Sequence, residues 1–254
     1  MTKLNLPATL LLIPGMLNTP AVFDRMQRHW QALPWPGAAA PRCVVVDVRD
    51  PDGIEAMAAS AWAAVAGLQA EAPLLLAGYS MGGYVALQML ATAPRPVQGL
   101  ALVCTSARPD TPEGAAVRER AIAAIERDFD RYVGTLATFL LMPSSQQDKA
   151  FVAEVRADMA AVGSAAAVRQ HRAAAARADQ REFARGLRLP VQVVGGGADK
   201  VTPPALSQEL AALIPHAELD LIEEAGHLVP FEHPARLAAR LQRLALRASA
   251  HEEA

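Results

Sequence analysis

The sequence predicts an α/β fold with a doubly wound, mainly parallel sheet of about six strands and a group of inserted helices. Two observations predict it. Six short apolar runs, each bounded by turn residues, alternate with stretches in which apolar residues recur every three or four positions. The runs are apolar on both faces, which is typical of parallel strands that helices cover on both sides. With 254 residues, 52% of them apolar, the chain can bury a core of this size.

The individual elements follow from local composition. The predicted strands are Thr9–Ile13, Cys43–Val48, Pro73–Ala77, Val97–Cys104, Pro190–Gly195 and Glu218–Ile222. The helices predicted between and after them are Gly53–Gln69, Gly82–Ala91, Pro204–Leu213 and Pro234–Ala248. The last of these helices begins with a proline, a residue favoured at the first helical position. Strand–helix–strand alternation of this kind implies βαβ units and an open sheet.

The region from Arg108 to Gly186 breaks this alternation. It is rich in Ala, Arg and Glu, is interrupted by prolines and glycines, and contains no convincing strand. We predict about four helices there, inserted at the carboxyl ends of the strands, where an open α/β sheet binds its ligands. The predicted domains are a core of residues 1–107 and 187–254 and a helical insertion of residues 108–186. A surface layer of helices without a role is the alternative.

Composition and charge exclude several classes of function. Lys and Arg number 24 and Asp and Glu number 26, so a concentrated basic face for nucleic acid or an anionic membrane is not expected. No apolar run reaches the length of a membrane span, and the first residues do not have the pattern of a secretory signal. Two cysteines are too few for a disulfide scaffold or a zinc ribbon. We expect a cytoplasmic protein with a small-molecule partner, and the oligomeric state stays open.

A candidate nucleophile, Ser80, lies between the third predicted strand and the helix after it, in the segment GYSMGG that begins at Gly78. A reactive serine needs a tight turn that exposes its hydroxyl and aims the next backbone N–H at the same place. Glycines two positions before and two positions after the serine are needed because a Cβ there would clash. An ordinary turn serine is the alternative.

An activated serine needs an imidazole within hydrogen-bond reach and a carboxylate that holds the correct tautomer. Of the six histidines, His227 is the candidate because it lies in a short loop directly after a predicted strand and before the last helix. Asp199 is the candidate acid, since it follows a glycine-rich turn at the end of the fifth predicted strand. Asp110 and Glu224 are the alternative acids. The order Ser, Asp, His is the one expected on this kind of sheet.

Four segments of the chain resemble the α/β-hydrolase superfamily, and specifically its small, lidded carboxylesterase-like members. They are LLLIPG from Leu10, GYSMGG from Gly78, GADKVTPP from Gly197 and EAGHLVPFEHP from Glu224. The resemblance extends over nearly the whole sequence. It implies that Ser80 is the nucleophile, Asp199 the acid and His227 the base, and that residues 108–186 are the helical cap of the family.

Negative charge that develops on a tetrahedral intermediate needs two preorganised N–H donors. The backbone N–H of Met81 is the first expected donor, and the resemblance implies that the N–H of Met16 is the second. This chain has Pro14-Gly15 where the family often has His-Gly. Only eight residues precede the first predicted strand, so the N-terminal hairpin of the family is expected to be missing. In the family's strand order two strands separate Cys43 from Cys104, and a disulfide between them is not expected.

Apolar side chains are expected beside the site and favour an apolar acyl or alcohol group in the substrate. The predicted pocket residues are Leu17, Phe139, Leu140, Met142, Val201 and Leu228. The predicted function is a serine hydrolase that cleaves small carboxylic esters, or related lactones or thioesters, through a covalent acyl-enzyme without a metal or organic cofactor. A lyase or acyltransferase with the same triad, or a ligand-binding receptor on this fold, is the alternative.

Overall fold

The computed structural model describes residues 8–35 and 40–252, which contain a six-stranded sheet with helices on both faces. The strands are β1 Thr9–Ile13, β2 Arg42–Val45, β3 Leu74–Tyr79, β4 Gly99–Val103, β5 Val191–Gly196 and β6 Glu218–Ile222. Their order is β2-β1-β3-β4-β5-β6, and every neighbouring pair is parallel. The predicted fold class is confirmed. The expectation about an N-terminal hairpin concerns residues 1–7, which lie outside the described residues.

Helices follow most of the strands. In chain order they are α1 Asp24–Ala32, α2 Ile54–Ala64, α3 Met81–Ala91, α4 Pro112–Arg127, α5 Phe129–Leu140, α6 Lys149–Ala160, α7 Ser164–Ala175, α8 Arg181–Arg185, α9 Pro204–Leu213, α10 Val229–Glu232 and α11 Pro234–Glu252. Short 3₁₀ turns lie at Pro20–Phe23 and Ser145–Gln147. None of the helices in the described ranges is long and apolar enough to span a membrane.

Two strands are shorter than the sequence predicts. β2 pairs with β1 and ends at Val45, because β1 itself ends at Ile13. The last hydrogen bond between the two strands runs from the N–H of Val46 to the carbonyl of Leu12. β4 ends before Cys104, whose φ of 46° turns the backbone out of the extended conformation. Helix α2 also ends earlier than predicted, at Ala64.

The strands divide the core into two apolar layers, because successive side chains point to opposite faces. Leu10 and Leu12 belong to the layer that includes α1 and α11, and Leu11 and Ile13 belong to the layer that includes α2 and α3. All five residues of β1 are buried. This burial on both faces explains why the sequence shows continuous apolar runs rather than alternation.

Residues 108–186, all of which the structure describes, form five helices, α4 to α8, where about four were predicted. Helix α4 packs against α7, and α5 packs against α6. Their buried side chains, among them Ile125, Val133 and Val155, belong to the same apolar cluster as Leu10 and Leu12. The inserted helices therefore share one apolar core with a face of the sheet. Their limits as a domain of residues 108–186, beside a core of residues 1–107 and 187–254, stay a prediction.

Candidate active site

Ser80 lies on a strained turn between β3 and α3. Its φ of 52° and ψ of −116° are outside the usual regions for a residue with a side chain, a strain of about 1–3 kcal/mol. Such a turn fits here only because its flanks are glycines: a Cβ on Gly78 would lie 2.2 Å from the carbonyl oxygen of Gly82, and one on Gly82 would lie 2.1 Å from that of Ile13. The Ser80 N–H donates to Val103 over 2.8 Å, and the Thr105 hydroxyl donates to the Ser80 carbonyl over 2.7 Å.

The structure brings three of the residues named from the sequence into one hydrogen-bonded row. His227 Nε2 lies 2.9 Å from Ser80 Oγ, and His227 Nδ1 lies 2.7 Å from Asp199 Oδ2. Asp199 and His227 are buried, whereas Ser80 is partly exposed. The Tyr79 ring lies beside the imidazole, with the ring centroids 5.5 Å apart. This arrangement allows a proton to pass between the serine hydroxyl and an imidazole whose other nitrogen faces a carboxylate.

The Asp199 carboxylate is held by four hydrogen bonds. Its Oδ1 accepts from the N–H groups of Val201 and Thr202 over 2.8 and 2.9 Å, and its Oδ2 accepts from the Thr202 hydroxyl over 2.6 Å and faces His227. Burial by itself raises the pKa of Asp199, but His227 and the Thr202 donors outweigh burial and hold that pKa below its usual range. The carboxylate is therefore ionised at neutral pH.

Thr202 and Thr105 are site residues that the sequence reasoning missed. The side chain of Asp199 accepts from the N–H groups two and three positions later, and aspartate is a residue type typical of such local turns. Thr105 has no such signal, because it reaches Ser80 from the end of a neighbouring strand.

The loop that carries His227 is held against the inserted helices. The His227 N–H donates to the Leu140 carbonyl over 2.8 Å. Glu232 joins the two parts: its Oε2 accepts from the N–H of Gly226 over 2.8 Å, and its Oε1 accepts from the N–H of Met142 over 2.7 Å. Glu232 was also missed, since it reaches Met142 only across the fold.

The alternative acids lie elsewhere. Asp110 forms ion pairs with Arg118 and Arg177, at 2.6 and 3.5 Å, and so ties the beginning of the insertion to its end. Glu224 is exposed. Of the three candidate carboxylates, Asp199 is the one that the structure places at His227.

The two expected oxyanion donors flank the serine. Met81 is the first residue of α3, directly after Ser80. The loop that contains Met16 also lies against the serine, because a Cβ built on Gly15 would be 3.1 Å from the Cβ of Ser80. Within the described residues, neither the Met16 nor the Met81 N–H has a hydrogen-bond acceptor. Both groups are therefore free to bind a ligand oxygen.

The predicted pocket residues fall into two groups. Leu17, Leu140 and Leu228 are buried, and Met142 is half-buried. Phe139 and Val201 are exposed, at 47% and 46% of their surface, and the Lys200 ammonium lies 5.4 Å from the centre of the Phe139 ring. The end of α5 and the segment after Asp199 thus meet at the molecular surface. A separate groove of about 550 Å³ lies on the insertion, with Phe129, Arg169 and Arg172 among its lining residues.

Cys104, Asp199 and His227 each offer one possible metal-ligand atom, and these atoms lie within 4.8 Å of one another. Burial raises the pKa of the Cys104 thiol well above its usual range, so the sulfur carries its proton in this structure. The Asp199 oxygens and His227 Nδ1 are already engaged in hydrogen bonds. The cluster fits a hydrogen-bonded network better than a metal site.

Known proteins resemble this chain in sequence and in fold. The family model described as serine aminopeptidase, S33, matches residues 50–234. The chain is 31% identical to a pimeloyl-(acyl-carrier protein) methyl ester esterase of Neisseria meningitidis serogroup A, over 90% of this chain and 73% of that relative. It is 32% identical to the protein of the same name from N. meningitidis serogroup C, over 90% of each. Among solved structures, an esterase from Thermogutta terrifontis superimposes on this chain with a TM-score of 0.85 at 23% identity. The superposition covers 96% of this chain and 91% of the esterase, and shows that the two have the same fold.

Proposed function

Since this chain belongs to the α/β-hydrolase family that the serine aminopeptidase (S33) model describes, and is a carboxylic ester hydrolase, we propose that it cleaves its ester through a covalent acyl-enzyme on Ser80. One observation carries the proposal: the unbroken row from Ser80 Oγ through both nitrogens of His227 to Asp199, with separations of 2.9 and 2.7 Å. This row has the geometry that general-base activation of a hydroxyl requires.

The reaction then runs in two halves. Ser80 Oγ attacks the ester carbonyl carbon while His227 Nε2 takes its proton, and the N–H groups of Met16 and Met81 bind the oxyanion. The intermediate collapses, the bond from carbon to the alkoxy oxygen breaks, and the alcohol leaves with the proton from His227. Water then attacks the acyl carbon and gives a proton to His227. The bond from that carbon to Ser80 Oγ breaks as His227 returns the proton to Oγ, which releases the carboxylic acid and restores Ser80. Asp199 keeps its charge throughout and stabilises the imidazolium.

The substrate in this proposal is an ester with an apolar acyl group. Phe139 and Val201 would form the entrance, with the half-buried Met142 beside them. The buried Leu17, Leu140 and Leu228 would contact the acyl chain once the inserted helices move apart from the core. We further propose that residues 108–186 act as a lid, supported by the hydrogen bond from the N–H of His227 to the carbonyl of Leu140. The names of the relatives favour a methyl ester of a pimeloyl group on acyl-carrier protein as a specific candidate.

The chemistry is tested with p-nitrophenyl esters from acetate to decanoate. We expect a chain-length optimum for the wild type and a loss of about 10⁴-fold or more in kcat/KM for Ser80→Ala and His227→Ala. Ser249→Ala is the matched control, since in the described residues the Ser249 hydroxyl donates to the Ala245 carbonyl within α11. Activity that survives in Ser80→Ala would refute the assignment of the nucleophile. No turnover of any ester, with Ser80 still labelled by a fluorophosphonate, would favour a lyase or an acyltransferase, and no labelling would favour a receptor.

The specific substrate needs a separate comparison. Methanol release is measured from pimeloyl-(acyl-carrier protein) methyl ester and from dimethyl pimelate, with wild type and Ser80→Ala side by side. A much higher kcat/KM for the carrier-bound ester would support the candidate. Equal values for the two methyl esters would leave a general small-ester hydrolase and reject the carrier-bound substrate.

A further inference from the structure

Two side chains of the inserted helices bind the loop that follows β1, residues 14–19. Gln170 on α7 is fully buried, and its Oε1 accepts a hydrogen bond from the N–H of Leu17 over 2.9 Å. Asp158 on α6 accepts from the Asn18 side-chain amide over 3.1 Å and from both the N–H and the hydroxyl of Thr19. The loop is therefore held by residues about 140 to 150 positions away in the sequence.

This loop has little support of its own. Leu17 has a φ of 57°, the left-handed conformation, which costs a residue with a side chain roughly 1–2 kcal/mol. In the described part of the chain, no backbone carbonyl accepts a hydrogen bond from the N–H groups of residues 15–18. The side chain of Gln170 thus supplies the acceptor that the backbone lacks, at the strained residue itself.

The hydrogen bond to Gln170 lies next to the chemistry. The N–H of Leu17 and the carbonyl of Met16 lie in one planar peptide unit, and the N–H of Met16 lies in the unit before it. The two units are joined at the Cα of Met16, so holding the first restricts the backbone rotation that orients the Met16 N–H. The N–H of Met16 is one of the two proposed oxyanion donors, and its neighbour Gly15 packs against Ser80. Small rotations matter because an oxyanion donor must lie within hydrogen-bond distance of the place where the charge develops.

A buried glutamine is an unusual choice for packing alone. In the described residues the Nε2 of Gln170 has no hydrogen-bond partner, and an unpaired buried donor costs about 1–3 kcal/mol. Methionine would fill a similar volume without that cost. The acceptor oxygen is therefore the feature that explains a glutamine at this position. Unfavourable local interactions of this kind are expected at functional sites.

We infer that Gln170, assisted by Asp158, is a positioning residue for the reaction: it holds the Met16 N–H in the oxyanion hole, so that the hole is complete only while α6 and α7 are docked. This inference rests on the proposed function and deepens it. It makes the inserted helices part of the catalytic geometry as well as a cover over the substrate.

The test uses Gln170→Met, which keeps the length of the side chain and removes the acceptor. Because loss of a whole oxyanion donor lowers kcat by about 10²–10³-fold, we expect misplacement of one to lower kcat by about 10- to 100-fold with KM changed less than about threefold. Binding of a trifluoromethyl ketone that forms a tetrahedral adduct on Ser80 should weaken by a similar factor. Hydrogen exchange at the Leu17 amide should become faster.

Gln180→Met is the matched control. Gln180 is also a buried glutamine of the insertion, but its side chain contacts Gln88 and not residues 14–19. If Gln180→Met loses as much kcat as Gln170→Met, or if Gln170→Met keeps kcat within about twofold, the inference is wrong. Should Gln170→Met fail to fold, Asp158→Asn decides in its place: a selective loss of kcat of about threefold or more supports the inference, and unchanged kcat overturns it. Ser80→Ala is assayed in parallel, so that an error in the proposed function itself is recognised separately.

Discussion

Replacement of Asp199 by asparagine is the most informative single change at the site, because it alters charge without altering shape. The carboxylate oxygen Oδ1 accepts from two backbone N–H groups, those of Val201 and Thr202. Those donors cannot turn away, so the amide oxygen of asparagine must take that place. The amide NH₂ then faces His227 Nδ1, where Oδ2 now accepts over 2.7 Å. The Thr202 hydroxyl can rotate from donor to acceptor.

The magnitude follows from the tautomer. With an NH₂ donor opposite Nδ1, the imidazole must present its lone pair there and carry its proton on Nε2, the atom 2.9 Å from Ser80 Oγ. Nε2 then already carries a proton and cannot accept the one from the Ser80 hydroxyl. A wrong tautomer in a serine triad lowers kcat by about 10⁴-fold, or roughly 5.5 kcal/mol. Folding should change little, by about 1–2 kcal/mol, because each hydrogen bond of Asp199 has a replacement.

The assay compares kcat for a p-nitrophenyl ester and the thermal unfolding of wild type, Asp199→Asn and Asp220→Asn. Asp220 is a matched control, since it is also a buried, paired aspartate but binds Arg236 and Arg240. We expect the control to keep its activity. An Asp199→Asn variant that folds normally and keeps kcat within about tenfold would refute this reasoning, and the carboxylate that orients His227 would have to be another.

Three further predictions concern stability and the thiols. Leu76→Ala, at a fully buried position of β3, should lower the free energy of unfolding by about 2–5 kcal/mol in urea titrations. Arginine partners hold the pKa of Asp220 below its ordinary value near 4, against the effect of burial. The ionised Asp220 carboxylate therefore stabilises the folded state above about pH 4, and this stabilisation is lost as the pH falls through the lower folded-state pKa. Urea unfolding curves for wild type and Asp220→Asn should therefore converge in acid. Burial raises the pKa of Cys43 to about 11 and holds that of Cys104 well above its usual range, so a thiol-disulfide reagent at pH 8 should react with both far more slowly in native than in unfolded protein.

Local sequence patterns were enough to predict the sheet and the serine turn. The apolar runs predict strands buried on both faces, because continuous burial leaves no polar face to show in the sequence. The four inner strands β1, β3, β4 and β5 are buried in this way, whereas the edge strands β2 and β6 are partly exposed. The turn at Ser80 follows from the glycines on either side, since their spacing is set by contacts within a few residues and with the neighbouring strand. The exact ends of strands were less predictable: the positive φ at Cys104 stops β4 without any glycine to mark it.

What the sequence alone determined is the fold class, the order of the six strands along the chain, and a short set of residues able to perform serine chemistry. Only the tertiary structure decided which carboxylate lies at His227: Asp199 does, whereas Asp110 is paired with arginines at the ends of the insertion. It also placed Glu232 between the histidine loop and the insertion, and Gln170 against the Leu17 N–H. The physical reason is the sequence separation of the residues in contact. A turn or strand depends on neighbouring residues, whereas contacts between distant segments form only when the helices pack on the sheet.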